Sequence, residues 1–182
     1  VGLLEQLEDK MTLHFKNAGD VIYDLGKNPE DFNCSEYLHK ICGVEFSPAP
    51  YFDLGEEFRL HETVSTLIRN KSILSAHDIS EGGLFVTLAE SGFFRDLGFK
   101  VKQQSAQVRK DAYWFGEAQG RVVVTVKADK TKEFENSLEI PFEKLGVVTS
   151  GEILIDDENW GDVKDWKEKY DNAIGDFLKL EE

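Results

Sequence analysis

The sequence predicts an α+β domain, a mixed sheet layered with helices, and three observations predict it. Runs rich in β-branched residues, above all Arg121-Val122-Val123-Val124-Thr125-Val126, alternate with segments whose apolar residues recur at helical spacing. Glycine, proline and asparagine punctuate the joins between them. At 182 residues, 41% of them apolar and 12% aromatic, the chain fits one ordinary domain and can bury a real core.

The elements follow in order. Residues 1–18 read as a lead-in segment. Val21-Ile22-Tyr23-Asp24-Leu25-Gly26 is a strand announced by Gly19-Asp20 and closed by the turn at Asn28-Pro29. Ser35-Glu36-Tyr37-Leu38 starts a short helix with Leu38 and Ile41 on one face, and Pro48-Ala49-Pro50 makes a connector. Asp53, with Glu56 three residues on, is an N-cap in a variant of the capping box. The helix it opens turns Phe58, Leu60, Val64, Leu67 and Ile68 inward and Glu57, Arg59, Glu62 and Arg69 outward.

A buried strand over 73–76 leads through a polar turn into a helix over 83–94, and 98–101 is a further strand. A short helix covers 112–115. The run 121–126 suits a central strand buried on both faces. A helix over 130–138 precedes strands at 145–149 and 152–155, which the two residues Ser150-Gly151 join as a hairpin. From Glu152 onward eleven acidic residues face four lysines, half of the net charge of the chain. Trp160, Trp166, Tyr170, Ile174 and Phe177 recur there at roughly helical intervals, which predicts a C-terminal helix docked by aromatics.

Composition narrows the function. A net charge of -14 with no basic stripe disfavours a nucleic-acid partner. No apolar run approaches the ~18 residues of a membrane span, and the N-terminus shows no charged leader, so a cytoplasmic protein is expected. Cys34 and Cys42 sit eight apart without metal-binding spacing and read as free thiols of a reducing compartment. The chain begins with Val1 and its single methionine is Met11, so a fragment of a longer polypeptide, or a processed product, is expected.

The stretch with most chemistry is Ser75-Ala76-His77-Asp78-Ile79-Ser80-Glu81-Gly82-Gly83-Leu84, at a strand end and a helix start, where α/β folds gather ligands. Phosphate is drawn to a helix N-terminus but repelled by Asp78 and Glu81. Magnesium resolves the conflict, because hard carboxylate oxygens hold the ion and the ion holds phosphates. A structural alternative stays open: Asp78 or Ser80 caps the helix, His77 satisfies a carbonyl, and Gly82 and Gly83 permit tight packing. A second candidate is the turn from Phe115-Gly116-Glu117 to Gly120-Arg121, where Glu117 and Arg121 contact a ligand or partner domain, or form a solvated rim pair. The sequence contains none of the G-x-S-x-G, H-E-x-x-H, G-x-x-x-x-G-K-[ST] or G-x-G-x-x-G motifs.

Ala76-His77-Asp78-Ile79-Ser80-Glu81-Gly82-Gly83-Leu84, continued by Leu88-Ala89-Glu90, resembles the H-D-[VI]-S-[DE]-G-G-L…L-A-E signature of the phosphoribosylformylglycinamidine synthase family. The likeness is to the C-terminal domain of that enzyme's second half, related to the C-terminal domain of AIR synthetase. Ala18-Gly19-Asp20-Val21-Ile22, Leu25-Gly26, Phe115-Gly116-Glu117, Gly120-Arg121-Val122-Val123-Val124 and Leu145-Gly146-Val147-Val148 match family landmarks in order. Val1-Gly2-Leu3-Leu4 resembles the last strand of a preceding ATP-binding domain, which divides the chain into 1–18 and a C-terminal domain over 19–182. Phe32-Asn33-Cys34 departs from the family's small residues, often Leu-Gly-Gly, before Ser35-Glu36-Tyr37, which puts a backbone-contact role for that loop in doubt.

The resemblance implies an ATP- and magnesium-dependent ligase of purine biosynthesis. It converts formylglycinamide ribonucleotide to the amidine with glutamine-derived ammonia. Implied partners are the polypeptide's own N-terminal ATP-binding domains, a glutaminase subunit and a small accessory subunit, and the fragment alone is expected to be inactive. No catalytic residue is assigned. His77, Asp78, Ser80, Glu81, Gly82, Gly83, Glu117 and Arg121 are the ligand-cleft candidates, with Asp78 the candidate metal ligand. The alternatives are a related synthetase of the AIR or selenophosphate type, over which the Ser-Glu-Gly-Gly form of the turn favours the amidine synthase, and a non-catalytic interaction module.

Overall fold

A computed structural model describes residues 6–28, 31–104 and 107–179. Its strands are β1 (Val21–Gly26), β2 (Ser75–Asp78), β3 (Gly98–Val101), β4 (Arg121–Val126), β5 (Phe142–Thr149), β6 (Glu152–Ile155) and β7 (Glu158–Asp162). They form one sheet in the order β2-β4-β1-β5-β3-β6-β7, antiparallel throughout except for the parallel pair β3–β6. The mixed sheet packed with helices is the architecture the sequence predicts. The β-branched run of β4 lies inside the sheet between β2 and β1, as its continuous burial requires.

Alternation along the strands divides the core in two. Val21, Tyr23 and Leu25 of β1 and Val124 and Val126 of β4 face one side, where they bury Leu60 and Leu67 of α1 (Leu54–Arg69) and Phe134 of α4 (Thr131–Ser137). Ile22 and Val123 face the other side. There they meet Leu84, Phe85 and Leu88 of α2 (Gly83–Phe93), Tyr113 and Trp114 of α3 (Lys110–Phe115) and Val163 of α5 (Val163–Lys179).

Helix α1 begins as expected: the Asp53 carboxylate accepts the Glu56 N–H at 2.8 Å. Several expectations are corrected. Phe58 is exposed rather than inward, and the segment after Ser35 forms a five-residue π-helical turn, Tyr37–Ile41, with Ile41 exposed. β5 and β6 are not a hairpin, because β3 lies between them, antiparallel to β5 and parallel to β6. That insertion needs Gly98, since a Cβ there would stand 2.2 Å from the Glu152 carbonyl oxygen. Trp160 belongs to strand β7, which the sequence reading missed, and α5 docks only through its first half. Trp166 packs on Phe85 at 4.9 Å and Tyr170 on Phe93 at 5.2 Å, whereas Ile174 and Phe177 are exposed. The likeness of Val1-Gly2-Leu3-Leu4 to a preceding strand falls outside the described residues.

Candidate functional site

The C-terminal end of β2 and the N-terminal end of β4 lie at the same end of the sheet, through the pairings His77–Val123 and Asp78–Val122. β2 runs two residues further than the apolar pattern suggests, and this decides where the polar residues go. In a strand, neighbours point to opposite faces. His77 therefore turns in against α2, while Asp78 is exposed.

The His77 ring is nearly enclosed. Its Nδ1 lies 3.2 Å from the Thr87 carbonyl and 3.2 Å from Ser91 Oγ, and its Nε2 lies 3.4 Å from Glu90 Oε2. A carbonyl only accepts, so the bond to Thr87 places the proton on Nδ1. Glu90 in turn accepts the Tyr170 hydroxyl at 2.8 Å, which ties β2, α2 and α5 together. Of the two readings of His77, this geometry supports the joint between strand and helix.

Asp78, Ser80 and Glu81 occupy the outer side of the turn with exposed side chains. The two glycines after them have different tasks. Gly82 precedes α2 with φ 85°, and a Cβ would meet Val86 Cγ2 at 2.3 Å. Gly83, at φ 68°, lies against backbone: a Cβ would stand 2.7 Å from Phe115 C and 2.9 Å from the Gly116 carbonyl oxygen. It is another chain segment that this glycine admits.

That segment carries Glu117, whose Oε1 accepts the backbone N–H of Gly82 at 2.8 Å and that of Glu36 at 2.9 Å. Phe115 stacks on Tyr37 at 5.3 Å with the rings 4° from parallel, and a Cβ on Gly116 would meet the Asp31 carbonyl oxygen at 2.9 Å. Three segments, 31–37, 78–83 and 115–117, thus converge. Ser35 is consumed within this arrangement: its hydroxyl donates to Phe32 O at 2.6 Å and accepts the Leu38 N–H at 3.1 Å.

Arg121 stands apart from the outer turn. It is 2% exposed, inside the sheet, and its Nε and Nη2 donate to Asp24 Oδ2 at 3.0 and 2.6 Å. This buried pair replaces the expected rim group. Burial pushes the Asp24 carboxyl up, and the Arg121 guanidinium opposes that rise. The adjacent phenol of Tyr113 donates to Glu143 at 2.7 Å, and burial followed by that carboxylate raises its pKa.

Asp24 and Glu36 were not among the sequence candidates. A carboxylate inside a buried strand pattern is a signal that could have marked Asp24, whereas Glu36 contributes only a backbone N–H. Among the described residues no group of three or more His, Cys, Asp and Glu side chains is arranged to hold a metal ion. Asp78 offers one carboxylate, so a magnesium ion here would depend on substrate phosphates and other ligands, a usual arrangement for that ion. The cleft of about 320 Å³ lined by Gly26, Tyr51, Phe52, Leu60, Gly120 and Pro141 does not include the turn.

Fold and turn define a class: an α+β domain that presents a strand-to-helix turn and two flanking loops at one end of a mixed sheet. Residues 17–156 match the family described as AIR synthase related protein, C-terminal domain, and the chain belongs to that family. It is 35% identical over 181 residues to phosphoribosylformylglycinamidine synthase subunit PurL of Azorhizobium caulinodans, covering 98% of this chain and 25% of that protein. It is 38% identical over 158 residues to the same subunit of Caldanaerobacter subterraneus, covering 85% and 21%. The chain therefore spans about a quarter of the length of these relatives.

The fold resembles that of Thermotoga maritima PurL solved with FGAR, with TM-score 0.71 at 15% identity over 87% of this chain and 29% of that one. It also resembles the hydrogenase maturation protein HypE, with TM-score 0.55 at 16% identity over 80% and 52%.

Proposed function

We propose that this chain is the C-terminal domain of a phosphoribosylformylglycinamidine synthase. The parent enzyme converts formylglycinamide ribonucleotide to the amidine at the expense of ATP, with ammonia from glutamine, in purine biosynthesis. The observation that carries this reading is the His77–Gly83 turn in a domain 35% identical to PurL along nearly its whole length. The T. maritima PurL structures with FGAR and with ATP support the substrate classes, and a T. maritima PurLQS assembly supports partner subunits, a glutaminase and a small accessory protein.

In this reading Asp78, Ser80 and Glu81 form one wall of the ligand cleft, and the other wall belongs to the ATP-binding domains. Asp78 would supply a carboxylate oxygen to a magnesium ion accompanying the nucleotide, whose role when bound would be to offset phosphate charge. His77, turned into the α2 joint, holds the turn in place and does not touch substrate. Ile41, Phe46, Tyr51, Phe52, Leu54 and Phe58 are all at least half exposed within 18 residues, a surface suited to packing against the rest of the polypeptide. The location is cytoplasmic. No helix among the described residues is long and apolar enough to cross a membrane.

The test is the full-length enzyme carrying Asp78→Ala, assayed for amidine formation from formylglycinamide ribonucleotide, ATP and ammonia. Loss of one contact made by a charged group lowers kcat/KM roughly ten- to hundredfold. Unchanged kinetics would remove the turn from the cleft, and turnover by the 182-residue chain alone would show that no second wall is needed.

A further inference from the structure

We infer that Glu117 is a positioning residue that clamps the loop at 31–37 to the turn at 78–83, so that the two present one rigid surface to the ligand. The inference deepens the proposed function and rests on its placement of the turn in the cleft.

A single oxygen carries the clamp. Glu117 Oε1 accepts from Gly82 N at 2.8 Å and from Glu36 N at 2.9 Å, joining backbone positions 46 residues apart in the chain. Both amides belong to the residue that opens a helical segment: Gly82 before α2 and Glu36 before the turn Tyr37–Ile41. In a capping box, a carboxylate of the helix's own first turn reaches back to that amide. Neither segment has one that does so. Neither of these opening residues makes a side-chain cap, and at Gly82 the left-handed backbone and the proximity of Val86 exclude a side chain. The carboxylate therefore comes from a third segment and serves both amides.

That third segment is itself fixed. Gly116 is pressed against the Asp31 carbonyl, Phe115 stacks on Tyr37, and the Phe115 backbone is wedged against Gly83. A carboxylate near the N-terminus of the 11-residue helix α2 is also favoured by the helix dipole. Glu117 is half-buried and both of its bonds go to backbone amides of the two loops, so its effect on a ligand passes through the loops it joins.

The test compares Glu117→Ala with Glu117→Gln, which keeps an acceptor oxygen of the same reach. Amide hydrogen exchange on the 182-residue chain reads the clamp directly. In Glu117→Ala, protection at both Gly82 and Glu36 falls together by roughly ten- to hundredfold, the weight of a bond to a charged group, while Glu117→Gln retains most of it. In the full-length enzyme, Glu117→Ala raises KM for the ligand seated at the turn more than it lowers kcat, and Glu117→Gln restores KM.

Loss of protection at one amide only, in a variant that still unfolds cooperatively, overturns the clamp and leaves the turn's place in the cleft standing. Joint loss with unchanged KM overturns the positioning role and, with it, that placement. If Glu117→Ala does not fold, Glu117→Gln decides: wild-type protection and KM support the clamp, and loss of protection at only one amide overturns it.

Discussion

Replacing Asp24 by leucine tests what the buried ion pair does. Both side chains are 1% exposed, and two guanidinium nitrogens of Arg121 converge on Asp24 Oδ2. Removing the carboxylate takes away the Asp24 charge on which two nitrogens of a buried, permanently charged guanidinium converge, and breaking such a pair costs ~3–5 kcal/mol. For a chain of this size each kcal/mol moves Tm by about 2–4 °C, so Asp24→Leu lowers Tm by roughly 6–20 °C. Replacing both partners, Asp24→Leu with Arg121→Met, removes the desolvation cost along with the attraction and returns most of that loss, to within about 1–2 kcal/mol of the original. The assay is equilibrium urea unfolding followed by tryptophan fluorescence, with calorimetry for Tm. A single variant that loses under about 1 kcal/mol, or a double variant no better than the single, would refute the reasoning.

Two further outcomes follow from packing and from the buried phenols. Gly83→Ala puts a methyl 2.7 Å from Phe115 C and forces φ 68° on a residue with a Cβ, so strain and overpacking together cost on the order of 2–5 kcal/mol, read as a lower urea midpoint. Tyr23 and Tyr113 donate to Glu135 and Glu143 at 2.7 Å, and burial first, then those carboxylates, raises both phenols above 10.0. The unfolded chain loses these protons near pH 10 while the folded chain keeps them, so the associated stability is intact below that pH and falls as pH rises above it. Urea midpoints measured from about pH 9 to 11 should decline, and Tyr113→Phe should flatten the decline.

Much of the fold was legible because local chemistry and tertiary structure agree. The β-branched run became an interior strand, and Asp53 capped the helix its spacing announced. Legibility failed where position is decided by partners distant in sequence. Ser150-Gly151 reads as a hairpin turn, yet β3 separates the two strands, because the backbone at Gly98 can approach both. At the site, the sequence put His77 and Asp78 in one turn but did not give their directions. The pleat of β2, continued to Asp78, turns His77 inward and Asp78 outward, and the strand's end is set by pairing with Val122 and Val123. Glu117 was visible as a carboxylate, whereas its partners are backbone amides, which no residue type reveals.

The strand order also governs how the chain assembles. Of the six neighbouring pairs in the sheet, β6–β7 alone joins strands consecutive in sequence. β1 must wait for β4 and β5, beginning with the pairing of Val21 to Val126, some hundred residues later. At ~5–20 residues per second of synthesis, the Val21–Leu25 segment emerges roughly 5–20 seconds before either partner exists. An early strand so apolar, with both edges open, is exposed to wrong pairings throughout that interval, and a topology dominated by distant contacts refolds on the millisecond-to-second scale. The arrangement that builds the site at one end of the sheet thus leaves an apolar strand unpaired for most of the domain's synthesis.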